Sequence, residues 1–132
     1  MRRTDEPDEL LDIRLHAPTP GVVIVWAAGR VTGTTAPQLV LRTGQQFHRA
    51  PHVILDLSGV EDLDRDALQL LGTLPERARA AATQLHIAGV EHEAMAGHLR
   101  HLGFEEQPTP APAAAVLASL AGPGRRRWEI AG

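Results

Sequence analysis

The chain has 132 residues, of which 43% are hydrophobic and 22% charged, with a formal net charge of -3. That length suits one domain with a single core, and so weak a negative balance gives no global electrostatic reason to bind nucleic acid. Two Phe, two Trp and no Tyr leave few platforms for stacking bases, and the lack of cysteine excludes disulfides, thiolate catalysis and cysteine-ligated metal. No apolar run reaches the roughly 20 residues needed to span a bilayer. The opening MRRTDEPDE has no apolar segment after its arginines. No secretory signal is therefore expected, and the default location is cytoplasmic.

Residues 1–9 are charged and contain proline, which predicts a flexible N-terminus ahead of one domain over residues 10–121. Leu11, Ile13 and Leu15 alternate with Asp12, Arg14 and His16, the period of a half-buried strand. Ala17-Pro18-Thr19-Pro20-Gly21 reads as a turn. Val22-Val23-Ile24-Val25-Trp26 is a continuous apolar run of the kind covered on both faces, and the short turn predicts that the two strands pair antiparallel. After Gly29, Thr34 or Thr35 can cap a helix whose first turn tolerates Pro37, because the amide that proline lacks has no helical partner there. Ala36, Leu39 or Val40, Thr43 and Phe47 form its apolar face.

Pro51 restarts the chain as the strand Val53-Ile54-Leu55-Asp56-Leu57, and a short loop follows. Asp64 then caps a helix carrying Leu68, Leu71, Leu74 and Ala78 at three- and four-residue spacing. Pro75 inside that helix would remove one amide and clash with the preceding turn at a cost of about 3 kcal/mol, so a kink is expected near Gly72–Pro75, with Thr73 or Leu74 restarting the helix. Leu85-His86-Ile87-Ala88 forms a short strand ended by Gly89. Met95, Leu99 and Leu102 mark a helix with Gly103 as its left-handed stop and Phe104 folding back. Ala113, Val116, Leu117 and Leu120 suggest a last helix, and residues 122–132, with Arg125-Arg126-Arg127, form a flexible basic tail. Strand–helix–strand units favour right-handed crossovers, so an α/β domain is expected: a small mixed sheet of about four strands with four helices packed on it.

In this order and spacing the residues resemble a STAS domain of the bacterial anti-sigma factor antagonist family, over about residues 11–121. Gly29-Arg30-Val31 with Thr35-Ala36 resembles the family's first turn and threonine-capped helix, and Val53 to Val60 its central strand and the following loop. Leu63-Asp64 and Leu68 resemble the start of the switch helix, Ala88-Gly89-Val90 the last strand, and Leu102-Gly103-Phe104 the end of the third helix. In relatives the residues after the aspartate are Ser-Ser-Gly or Ser-Ala-Gly, and the first serine is phosphorylated by the anti-sigma kinase. A helix N-terminus, with its free amides and positive partial charge, accommodates such a phosphate. The added charge of roughly -1.5 to -2 then opposes a partner surface shaped for a neutral hydroxyl.

Here the matching positions read Asp64-Arg65-Asp66-Ala67, and Thr32 replaces the aspartate of the family's first loop. The resemblance thus implies the scaffold without the serine switch. Either the protein still binds an anti-sigma-type kinase and is not turned off at this position, or binding has drifted to another partner. Asp66 offers a permanent negative charge that imitates the modified state, and Arg65 beside it opposes that mimicry. A cation in the first turn costs about 0.3–1 kcal/mol, while an Asp64 cap contributes about 1 kcal/mol whatever the function.

His98 and His101 stand three residues apart, a spacing that can share a metal, but His92 and Glu91 converge poorly and no metal site is expected. No serine lies in a strand–turn–helix elbow, and no glycine-rich phosphate loop is present, so neither an enzyme nor a cofactor is expected. Glu61, Asp62, Asp64 and Asp66 do not have calcium-loop spacing. They read instead as a solvated acidic edge or a surface for a basic partner. The expectation is a non-catalytic module that binds an anti-sigma factor of the histidine-kinase-like ATPase type, without inserting into a membrane. Its surface would comprise Asp62, Asp64, Arg65, Asp66, Ala67, Thr32, Thr34 and Thr35. Accessory STAS subunits of lipid-transporting ABC complexes, and small-ligand-sensing STAS domains, are the alternatives.

Overall fold

A computed structural model of the chain describes residues 11–91, 93–102 and 111–120. The expected tails, the Gly103 stop and Phe104 lie outside the described residues. The elements are β1 (Leu11–Thr19), β2 (Val22–Val31), α1 (Ala36–Gly44), β3 (His52–Leu63), α2 (Arg65–Leu71), α3 (Leu74–Ala80), β4 (Gln84–Ala88) and α4 (Glu93–Arg100). A further helix, α5, spans residues 113–120. The strands form one sheet in the order β1-β2-β3-β4. β1 runs antiparallel to β2, while β2, β3 and β4 are parallel. This is the mixed α/β sheet expected from the order of elements, with the second expected helix broken in two.

Alternation along the strands sorts side chains onto two faces. Val25, Val53, Leu55, Leu57, Leu85 and Ile87 enter the main core, which Leu39, Leu71, Leu74 and Leu99 of the helices close from one side. On the opposite face Val22, Ile24, Ile54 and Ala88 pack against Ala113, with Val116, Leu117 and Leu120 of α5 half-buried around them. The apolar run of β2 is therefore covered on both sides. His52 and His86 are stacked, ring centroids 5.3 Å apart, and share a contact between His52 Nδ1 and His86 Nε2 at 3.1 Å.

Several boundaries depart from the sequence expectations. β1 continues through Pro18 to Thr19, leaving Pro20-Gly21 as the turn, with an irregularity in its pairing between His16 and Thr19. Proline is accommodated because β1 is an edge strand and the ladder is already interrupted there. β3 does not end at Leu57. It stays paired with β2 as far as Leu63, through irregularities opposite Trp26/Ala28 and Gly29/Arg30. The expected loop between strand and helix is thus a bulged strand. Gly59 makes the first bulge possible, since a Cβ there would stand 2.7 Å from Ala28 Cβ.

The break in the second helix falls where proline chemistry places it. α2 ends at Leu71, and α3 begins at Leu74 with Pro75 in its first turn, where the missing amide has no helical partner. Gly89 terminates β4 with φ +75°, and its amide donates to Ala111 O at 2.8 Å, tying the lead-in of α5 to the sheet. The hydroxyl of Thr83 bonds the carbonyl of Phe47, joining the ends of two connections that the sequence pattern leaves unrelated. α4 stops at Arg100, so His101 lies in the turn after the helix that carries His98.

Candidate functional site

The bulged end of β3 delivers the chain to Asp64, whose amide donates to Val31 O at 3.1 Å. Asp64 holds an extended conformation, ψ 176°, as a capping residue should, and its Oδ1 accepts from Ala67 N at 2.8 Å. Its second oxygen, Oδ2, accepts from Gly33 N at 3.3 Å. One carboxylate therefore starts α2 and also clasps the β2–α1 loop to it. Gly33 approaches closely enough that a Cβ would stand 3.0 Å from Asp66 Cβ.

That loop is organised by its own threonines. Thr32 Oγ1 accepts from Thr34 N at 3.1 Å and Thr35 N at 3.3 Å. Thr35 Oγ1 accepts from Thr32 N at 2.9 Å and donates to Arg30 O at 2.8 Å. Thr35 occupies the N-cap position of α1 but makes no capping bond with its side chain. The expected cap is therefore corrected: the hydroxyl is spent on the preceding loop, and Pro37 in the first turn removes one amide that a cap would have served.

Thr32, Gly33 and Thr34 on one side, and Asp64, Asp66, Gln69 and Leu70 on the other, line a shallow cleft of about 600 Å³. Of the residues singled out from sequence, the fold brings Thr32, Thr34, Asp64 and Asp66 to this cleft. Arg65 is the first residue of α2 and is exposed, at the helix mouth and outside the cleft lining. Thr35 is buried and supports the loop from beneath, and Ala67 is fully buried in the core. Asp62 lies away from the cleft, exposed, with Oδ1 accepting from Leu63 N at 2.9 Å. Gln69 and Leu70 were missed from sequence, although they stand three and four residues after Asp66 and so share its helix face.

Elsewhere the chemistry-bearing side chains are dispersed. Among the described residues no three His, Asp or Glu side chains gather in metal-binding geometry. Asp56 Oδ1 accepts from Ser58 N at 3.0 Å, a local bond within β3 beside its first bulge. No helix of the described residues is long and apolar enough to cross a membrane.

The family model described as Mlab, STAS domain, matches residues 16–118. The chain belongs to the STAS family. Solved structures agree on the fold. The anti-sigma factor antagonist SpoIIAA in its unphosphorylated form superposes with a TM-score of 0.68 at 11% identity, covering 84% of this chain and 99% of that one. An anti-sigma factor antagonist from Mycobacterium paratuberculosis gives 0.66 at 24% identity, with 85% and 95% covered. The STAS domain of a SulP transporter from Vibrio cholerae gives 0.56 at 16% identity, with 80% and 85% covered. No curated protein matches the chain. At these identities the structural neighbours establish the STAS architecture, and the residues of this STAS domain must speak for its site.

Proposed function

We propose that this STAS domain is a non-catalytic regulatory module that docks a protein partner, an anti-sigma factor of the histidine-kinase-like ATPase type. The docking surface is the end of the fold where the Thr32–Thr34 loop meets the first turn of α2. The observation that carries the reading is Arg65, exposed as the first residue of a helix capped by Asp64. In the family resemblance this is the place of the phosphorylated serine, and SpoIIAA has been solved in both unphosphorylated and phosphorylated forms. An arginine there has no hydroxyl to modify. Docking therefore proceeds without a serine toggle at the α2 mouth, and Asp66 sets a constant negative charge in its place.

Calorimetric titration with anti-sigma ATPases of the source organism tests this. Arg65→Glu and Asp66→Lys are each expected to weaken binding by about tenfold or more, the loss of about 1.4 kcal/mol at a docked charge. If no such ATPase binds, and both substitutions leave every other interaction unchanged, the assignment fails. Incubation with a binding ATPase and ATP is expected to leave the α2 mouth unmodified by mass spectrometry. Stoichiometric phosphate on Thr32, Thr34, Thr35 or Ser58 would show that the switch has moved instead.

A second reading, an accessory subunit that binds the ATPase of a lipid-transporting ABC complex, is kept because the family model over residues 16–118 is described as Mlab, STAS domain, and not as an anti-sigma factor antagonist. Gene neighbourhood separates the two: sigma and anti-sigma genes favour the first, permease and ATPase genes the second.

A further inference from the structure

α2 presents two sides at this end of the fold. Asp66 faces the Thr32 cleft, whereas Leu68, two residues on and therefore about 200° around the helix, faces the opposite way. There Leu63, Leu68 and Met95 floor a second groove, of about 360 Å³, between the end of β3, α2 and α4. All three are half-buried, packed against the main core on one side and open on the other. Glu61 and Asp62 stand exposed on its β3 rim and His98 on its α4 rim. Arg30 is the register partner of Asp62 on β2, yet the ion pair seen among the described residues is Arg14 with Asp12, elsewhere on the sheet. Neither rim carboxylate makes a direct ion pair with a cation among those residues.

The distribution of polarity indicates the occupant. A small-molecule site places a few polar groups inside an apolar pocket, where they fix the ligand's orientation. Here the floor is aliphatic and the charge is confined to the rim. That is the complement of an amphipathic helix, which seats apolar anchors at three- and four-residue spacing and turns its flanking charges toward the rim. We infer that the Leu63–Leu68–Met95 groove docks a basic amphipathic helix of a partner protein, with aliphatic anchors on the floor and Lys or Arg facing Glu61 and Asp62. This rests on the reading of this end of the domain as its docking end, but it uses the other side of α2 and does not depend on which partner supplies the helix.

The test is a methyl and amide NMR titration of the full chain with a synthetic peptide of about 18 residues, long enough to form a helix. The peptide carries Leu anchors flanked by Lys and Arg, and a control carries the same Leu face flanked by Glu. The basic peptide is expected to shift the methyls of Leu63, Leu68 and Met95, and the acidic control to bind at least about tenfold more weakly. Glu61→Lys combined with Asp62→Asn, both at exposed positions, should weaken the basic peptide about three- to tenfold, the range for a pair of exposed charges. Met95→Gln should weaken both peptides. No groove shifts with the basic peptide, shifts confined to the Thr32 cleft, or equal binding of the two peptides would each overturn the inference. If the groove gives no shifts while an ATPase partner is still released by Asp66→Lys, the inference is overturned and the docking reading stays intact. Groove shifts without any ATPase partner would uphold the groove and remove that partner.

Discussion

Replacing Asp64 separates two roles that one carboxylate performs. Asp64→Ala removes the cap on Ala67 N, worth about 1 kcal/mol. It also removes the longer 3.3 Å bond from Gly33 N, which belongs at the low end of the hydrogen-bond range, about 0.5 kcal/mol. Loss of a negative charge at the helix start adds roughly 0.5 kcal/mol. The sum is about 2 kcal/mol, or a fall in Tm of about 6–8 °C for a domain of this size. Asp64→Ser keeps a capping oxygen but lacks the second acceptor that reaches Gly33, so it should fall by only about 1 kcal/mol. Urea denaturation with unchanged m-values measures the series, and amide exchange localises it. In Asp64→Ser the Gly33 amide should lose protection while Ala67 keeps it. A stability for Asp64→Ala within 0.5 kcal/mol of the parent, or equal protection of Gly33 in both proteins, would refute the double role.

Thr43 is fully buried in α1 and its Oγ1 has no hydrogen-bond partner among the described residues. Thr43→Val, which replaces that hydroxyl with a methyl, should stabilise the domain by about 1–2 kcal/mol in the same denaturation assay. Gly89→Ala should destabilise it by at least about 2 kcal/mol. The residue holds φ +75°, and a Cβ would lie 2.7 Å from both Asp56 Oδ1 and Ser58 N. Arg65→Glu exchanges a cation for an anion in the first turn of α2 and should raise stability by about 1 kcal/mol while lowering partner affinity. Thermal melts and titration of one preparation would show the two effects moving in opposite directions.

Sequence alone determined the features whose causes lie within a few residues. The Asp64 cap, the break before Pro75 and the glycine that ends β4 were legible because each is settled by a local amide, a missing amide or a backbone angle. The alternation of strands and helices was legible for the same kind of reason, since a buried strand and an amphipathic helix have different periods. Tertiary structure decided what depends on a neighbour. Residues 58–63 read as a loop because their polar composition breaks the strand pattern, yet β2 supplies a partner and Gly59 admits the bulge that keeps them paired. Thr35 reads as a cap, but its hydroxyl turns to Arg30 O and Thr32 N, which the fold brings nearer than the helix amides. Ala67 belongs to the same short motif as Arg65 and Asp66, and rotation along α2 sends it into the core while they face outward. That same rotation divides the acidic end into a polar cleft and an aliphatic groove. A linear string cannot show this division, because it is made by which elements pack on either side of one helix.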